Sequence, residues 1–171
     1  MIKIAYIGRL IKSKGINEFL NYSKKFPNKS LKYFVAGCDP IKSYRNLKKG
    51  NHNIVFLGNV RNVSKLLNSI DIVIFPSTYG EGYPRIILEC ISTNTYCIVY
   101  NAKWNLLDKM PQNVYCTNKN NIMSIHRLVE KILNLLKKNV LHYGVNKIVN
   151  QEHLQERIVN IYINIYKNIN K

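Results

Sequence analysis

The sequence predicts an α/β fold: a Rossmann-like, doubly wound parallel sheet of about six strands flanked by helices, with a helical C-terminal tail. Two observations carry this. Short apolar runs alternate with stretches of helical period, which is the pattern of βαβ units. The runs themselves lack polar alternation, so the strands are expected to be covered on both faces. The length of 171 residues suits one domain around one sheet.

The elements follow in order. Ile2–Ile7 is the first strand, and Gly15–Phe26 a helix ended by Pro27. Leu31–Gly37 is the second strand and Ile41–Lys48 a short helix. Asn53–Leu57 is the third strand, followed by a short helix over Val63–Asn68. Ile70–Phe75 is the fourth strand, closed by Pro76. Gly82–Thr93 is a helix, Tyr96–Tyr100 a fifth strand and Val114–Cys116 a short sixth. Ile122, Ile125, Val129, Ile132 and Leu136 keep a near-3.6 period through a helix over Ile122–Lys138. The tail over Gln151–Asn168 is helical, with Ile158, Ile161, Tyr162 and Ile165 on one side.

Composition excludes several classes. With 8 Gly and 5 Pro, the chain is neither collagenous nor low-complexity. No apolar run approaches the roughly 18 residues that span a bilayer, and Met1-Ile2-Lys3-Ile4 starts as a strand rather than a signal peptide. A cytoplasmic location, with or without peripheral membrane contact, is the expectation. Cys38, Cys90, Cys97 and Cys116 form no C-x-x-C pair, so four reduced thiols, most of them buried, are expected. The 26 Lys+Arg against 9 Asp+Glu give +17, a field that attracts anions such as phosphorylated substrates, anionic lipid or nucleic acid. Heavy use of Lys, Asn and Ile also fits an AT-rich genome. Helix-turn-helix, zinc-finger and aromatic-basic RNA-binding patterns are all missing, so nucleic acid is not an expected partner.

In folds of this kind ligands sit beyond the carboxyl ends of the strands, near the switch point of strand order. The first strand runs into Gly8-Arg9-Leu10-Ile11-Lys12-Ser13-Lys14-Gly15. Gly8 lets backbone approach a ligand, and Arg9 and Lys14 flank a helix N-terminus, where phosphate is favoured. The segment is neither a Walker loop nor G-x-G-x-x-G. After the fourth strand come Pro76-Ser77-Thr78-Tyr79-Gly80-Glu81 and Gly82-Tyr83-Pro84-Arg85-Ile86-Ile87-Leu88-Glu89. Glu81 is placed before the helix and Glu89 about 12 Å along it. That separation suits two acids gripping separate parts of one long ligand. The alternative is an N-capping acid and a solvated helical one. Gly82 and Tyr83 would offer free N–H groups at the helix N-terminus.

The pairing of G-R-L-x-x-x-K-G with P-S-x-x-x-E-G-x-P-x-x-x-L-E resembles the family-4 retaining glycosyltransferases. These are GT-B enzymes, and the likeness is to their C-terminal, nucleotide-sugar-binding domain. Phe34-Val35-Ala36-Gly37, Ile54-Val55-Phe56-Leu57-Gly58-Asn59-Val60 and Ser69-Ile70-Asp71-Ile72 fall where the family has its intermediate landmarks. The resemblance implies roles. Arg9 and Lys14 hold the donor diphosphate and neutralise its charge as it leaves. Glu89 accepts from the ribose hydroxyls, and Glu81 contacts the donor sugar. Gly82, Tyr83 and Pro84 line the sugar–phosphate segment. Val60 meets the base through its backbone, while Gly37 and Gly58 keep strand ends bare. The implied donor is a UDP- or GDP-sugar, and the acceptor a lipid-linked saccharide or growing polysaccharide.

No metal cofactor is expected. Asp39, Asp71 and Asp108 are the only aspartates, so no D-x-D pair exists. Two departures from the family pattern stand out. Glu89-Cys90-Ile91-Ser92-Thr93-Asn94 ends on Asn94 in place of a helix-ending glycine, and Asn tolerates that conformation. Asn101-Ala102-Lys103-Trp104-Asn105 replaces a glycine-rich loop, with Trp104 expected as a local packing anchor. The family's enzymes also carry an acceptor-binding N-terminal domain. This chain is expected to be one donor-binding domain over 1–171, needing that domain or subunit as partner and turning over poorly alone. A non-catalytic nucleotide-sugar-binding module, and an anion-attracted protein of membrane or nucleic acid, remain the alternative readings.

Overall fold

The computed structural model describes residues 1–40, 44, 53–78, 84–100, 112–118, 121–137, 159, 160, 163 and 167. Six strands, β1 (Ile2–Ile7), β2 (Leu31–Ala36), β3 (Ile54–Gly58), β4 (Ile72–Phe75), β5 (Tyr96–Tyr100) and β6 (Val114–Thr117), form one sheet in the order β3-β2-β1-β4-β5-β6. Every pairing is parallel. This is the doubly wound order, and its switch point lies between β1 and β4.

Strand parity divides the core in two. Ile4 and Tyr6 point to one face, where Ile16, Phe19 and Leu20 of α1 (Ile16–Lys25) and Ile125, Val129 and Ile132 of α4 (Ile122–Lys137) pack. Ala5 and Ile7 point to the other, with Leu67 of α2 (Val63–Leu67) and Ile86, Ile87 and Cys90 of α3 (Arg85–Ser92). All residues of β4 and β5 are buried, as their unbroken apolar runs require. At the edge, β3 exposes Val55 and Leu57. Phe26, just past α1, stacks on His126 of α4 with ring centroids 3.9 Å apart, tying the two helices on that face.

The six expected strands and the helices expected after β1, β3, β4 and β6 are present, β1 and β5 with the expected ends and the others with ends shifted by one to three residues. The helix expected over Gly82–Thr93 begins at Arg85, because Pro84 is its extended N-cap (φ −64°, ψ 127°). Asn94 adopts a positive φ of 53°, doing what a glycine would do after the helix. Cysteine burial differs from expectation. Cys90 and Cys97 are buried, but Cys38 and Cys116 are exposed, and all four are free thiols. Cys38 lies past the end of β2, and Cys116 sits on β6, at the edge of the sheet among the described residues. Lys12 and Lys24 are exposed, as expected. The helix expected over Ile41–Lys48, Trp104 and its loop, and most of the tail lie outside the described residues. Val159, Asn160, Ile163 and Lys167 of that tail are helical and exposed.

Two glycines are dictated by the packing of loops at the switch point. At Gly15 (φ 81°), a Cβ would stand 2.2 Å from the Pro76 carbonyl oxygen. At Gly37 (φ 152°), it would stand 1.7 Å from the Gly8 carbonyl oxygen. Both obstacles are backbone, so relief requires moving a loop. We expect Gly37→Ala and Gly15→Ala each to cost about 3 kcal/mol or more, combining overpacking with an unfavourable φ. Urea unfolding checks this; a loss below about 1 kcal/mol would mean the loops yield freely.

Candidate functional site

The carboxyl ends of β1, β2, β3 and β4 carry the residues that the sequence singles out. Gly8, Gly37 and Gly58 end three adjacent strands. They are joined by Gly8 N donating to Ala36 O (2.9 Å) and Gly37 N donating to Gly58 O (2.7 Å). Val60 follows Gly58, half-buried against the core face that also holds α3. The strand ends thus form one continuous backbone floor.

Above it runs the loop from Gly8 to Gly15. Its Arg9 side chain is exposed, while Lys14 is buried, only 6% exposed, in a 3-10 turn over Lys12–Lys14. Burial lowers the Lys14 ammonium's pKa from its ordinary value, and the Arg9 guanidinium nearby lowers it further. A buried cation and an exposed one are thus near each other where α1 begins, a place that favours an anion.

The loop is fixed to β4. The Ser13 carbonyl accepts from Thr78 N at 2.9 Å, Ser77 Oγ at 3.2 Å and Thr78 Oγ1 at 3.3 Å. Ser77 is buried. The segment that leads to Glu81 is therefore bound to the residue preceding Lys14. This coupling across the switch point was not read from the sequence, although Ser77 and Thr78 stood inside the quoted motif. The signal available was their type: hydroxyls just past a buried strand seek backbone partners.

Pro84 is buried at the start of α3, and Glu89 lies in that helix's second turn. Because α3 starts at Arg85, Glu89 sits about 6 Å along it, nearer the N-terminus than the 12 Å expected. In the first turn the Ile87 amide donates to Pro84 O at 3.0 Å. Glu81, Gly82 and Tyr83 lie outside the described residues.

Glu89 is 16% exposed, and Arg85, 87% exposed, stands 4.0 Å from its carboxylate. Burial raises the carboxyl's pKa above its ordinary value, and Arg85 offsets this in part. A raised folded-state pKa favours the protonated form. Its contribution to stability is present below the unfolded pKa of about 4.5 and is lost as pH rises through the folded value. At pH 7 the Glu89 charge is therefore a cost. Glu89→Gln is expected to raise the melting temperature at pH 7, with the gain vanishing below about pH 4. A fall in melting temperature at pH 7 would show that the carboxylate is stabilising.

Among the described residues, no group of three His, Cys, Asp or Glu side chains could hold a metal ion. Likewise, no described helix is long and apolar enough to cross a membrane.

A family model described as "Glycosyl transferases group 1" matches residues 2–158. The chain belongs to this family. The capsular polysaccharide biosynthesis glycosyltransferase CapM of Staphylococcus aureus is 21% identical over 159 residues, covering 86% of this chain and 41% of CapM. The uncharacterized glycosyltransferase MJ1607 of Methanocaldococcus jannaschii is 31% identical over 103 residues, 56% of this chain and 26% of that protein. The chain thus spans less than half the length of these relatives. Anabaena Alr3699/HepE, solved in complex with UDP-glucose, superposes with a TM-score of 0.72 at 16% identity, covering 99% of this chain and 48% of HepE. The C-terminal domain of the group 1 glycosyl transferase LpcC of Francisella tularensis gives 0.64 at 21% identity, covering 94% of this chain and 86% of that one. These likenesses confirm the GT-B C-terminal fold for this member of group 1.

Proposed function

We propose that this chain is the donor-binding half of a retaining glycosyltransferase. It would hold a UDP- or GDP-sugar at the carboxyl ends of β1 and β4, for transfer to a lipid-linked saccharide or polysaccharide. The observation that supports this best is the Arg9/Lys14 pair, two cations gathered at the switch point on a loop tied to β4. In this reading the diphosphate lies along that loop. As the bond between the sugar's anomeric carbon and the phosphate oxygen breaks, the electron pair stays on the phosphate. The two cations stabilise the charge that grows there. Glu89 accepts from the ribose hydroxyls one turn into α3, and Glu81 faces the sugar. The backbone floor of Gly8, Gly37 and Gly58, with Val60 beyond it, takes the nucleoside.

The acceptor would be bound by a separate domain or subunit facing these strand ends. The isolated chain is then expected to bind donor and turn it over poorly. UDP in the complexed structures of HepE supports uridine, without choosing the sugar.

Because the cations already neutralise the diphosphate, binding should need no divalent metal. Calorimetric titration of UDP and GDP, with and without EDTA, is expected to give the same affinity. A strict requirement for Mg²⁺ or Mn²⁺ would overturn the metal-free reading. Failure of every nucleoside diphosphate to bind would overturn donor binding itself.

A further inference from the structure

Tyr6 lies in the middle of the sheet, on the strand that leads into the cation loop, and its side chain is fully buried. A core position in a central strand needs only an apolar side chain. This one carries a hydroxyl, and the hydroxyl donates to the Arg9 carbonyl at 2.7 Å. The same carbonyl accepts from Ile11 N at 2.9 Å, while Leu10 N donates to Cys38 O at 2.8 Å. The peptide between Arg9 and Leu10 is thus held at both its carbonyl and its amide. With the Arg9 carbonyl turned inward, the Arg9 side chain is left exposed over the strand ends.

The donor is itself immobile. The Tyr6 ring packs on Phe19 with centroids 5.8 Å apart, inside the cluster formed with Ile4, Leu10 and Ile16. Leu10, the residue after Arg9, inserts into the same cluster and is 6% exposed. Burial raises the phenol's pKa far above its ordinary value, so the hydroxyl stays a donor at any working pH. The bland alternative is that a buried phenol simply takes whatever acceptor is near. That alternative makes Tyr6 a matter of stability alone.

We propose that Tyr6 is a positioning residue: its hydroxyl, by holding the Arg9 carbonyl, aims the Arg9 guanidinium at the diphosphate of the donor. The proposal rests on the donor-binding reading above and assigns the residue that sets the geometry of its charged clamp. The Tyr6 side chain itself touches no ligand.

Tyr6→Phe tests it, since it removes one oxygen and keeps the ring. In that variant the Arg9 carbonyl loses its side-chain donor and keeps Ile11 N, while Leu10 N still donates to Cys38 O, so the peptide is held less firmly in its orientation. Pyrophosphate and UDP are expected to bind about two- to tenfold more weakly, the worth of one hydrogen bond, while uridine affinity is unchanged. In the Arg9→Ala background the same change should cost nothing further for either ligand. A lowered melting temperature does not obscure this result, because a fold defect weakens binding equally with and without Arg9. Equal loss in both backgrounds, or equal loss for uridine and UDP, would overturn the positioning role. If wild-type chain binds neither UDP nor pyrophosphate, the donor-binding reading fails and this proposal with it. If wild type binds both and Tyr6→Phe binds as wild type, only the role of Tyr6 fails.

Discussion

Replacing Arg9 or Lys14 by alanine is expected to weaken UDP and GDP binding roughly tenfold to a hundredfold, while uridine and guanosine affinities barely change. The magnitude is that of a charge-assisted hydrogen bond, about 1.5–3 kcal/mol. Lys14 should sit at the upper end, because the residue is buried and its contact with phosphate is less screened than that of the exposed Arg9. Arg9 is exposed, and its contribution should fall more steeply with added salt. The two substitutions are not expected to add. Arg9 lowers the Lys14 pKa, so removing Arg9 makes the remaining Lys14 charge less costly. Lys12→Ala and Lys24→Ala serve as controls, since both side chains are exposed and neither is buried beside the strand ends. A loss as large in Lys24→Ala as in Lys14→Ala would mean that binding follows net charge, not this clamp. Equal losses for uridine and UDP would mean that the pair contacts something other than phosphate.

The two glutamates should separate by the part of the ligand they hold. Glu89→Gln is expected to weaken every ribonucleotide, roughly tenfold if two hydroxyl contacts are weakened. A 2′,3′-dideoxy analogue should then lose little more. The same variant is the one expected to be more stable at neutral pH, since burial makes the Glu89 charge costly there. Gaining stability while losing affinity is what a group retained for binding does. Glu81→Gln should leave UDP binding near wild type, weaken only the sugar-bearing donor, and depress turnover strongly in an enzyme completed by its acceptor domain. If Glu81 merely caps a helix, its loss costs about 1 kcal/mol of stability and leaves the ratio of UDP-sugar to UDP affinity untouched. Melting temperature and both affinities, measured on one variant, decide between these outcomes.

The order of elements was legible because the periodicity is strong where the chain is buried. β5, with all five residues inside, was placed to the residue, and α4 to within one. Ends were less legible where a single backbone geometry decides them. Pro84 reads as a residue that a helix can admit in its first turn, and only its dihedral angles make it the cap. Most of the four cysteines are expected to be buried because cysteine usually is; the exposure of Cys38 and Cys116 follows from a strand end and a sheet edge, which no local pattern encodes. At the candidate site, the place of Arg9 and Lys14 on the loop after β1 and of Glu89 on α3 was legible from the order of elements. The pairing of Ser77 and Thr78 with the Ser13 carbonyl was not, nor was the reach of Tyr6 to Arg9. Ser77 and Ser13 are 64 residues apart, and their meeting depends on β1 and β4 being neighbours. Sequence spacing carries the chemistry of the groups here, and the switch point supplies their juxtaposition.

The most direct test of the account is a structure of this chain with UDP bound. The diphosphate is expected at the carboxyl ends of β1 and β4, within hydrogen-bond distance of the Arg9 guanidinium and the Lys14 ammonium, with the ribose turned toward Glu89. A diphosphate held elsewhere on this basic surface, such as by Lys24 and Lys25 in the last turn of α1 and Lys29 after it, would contradict it.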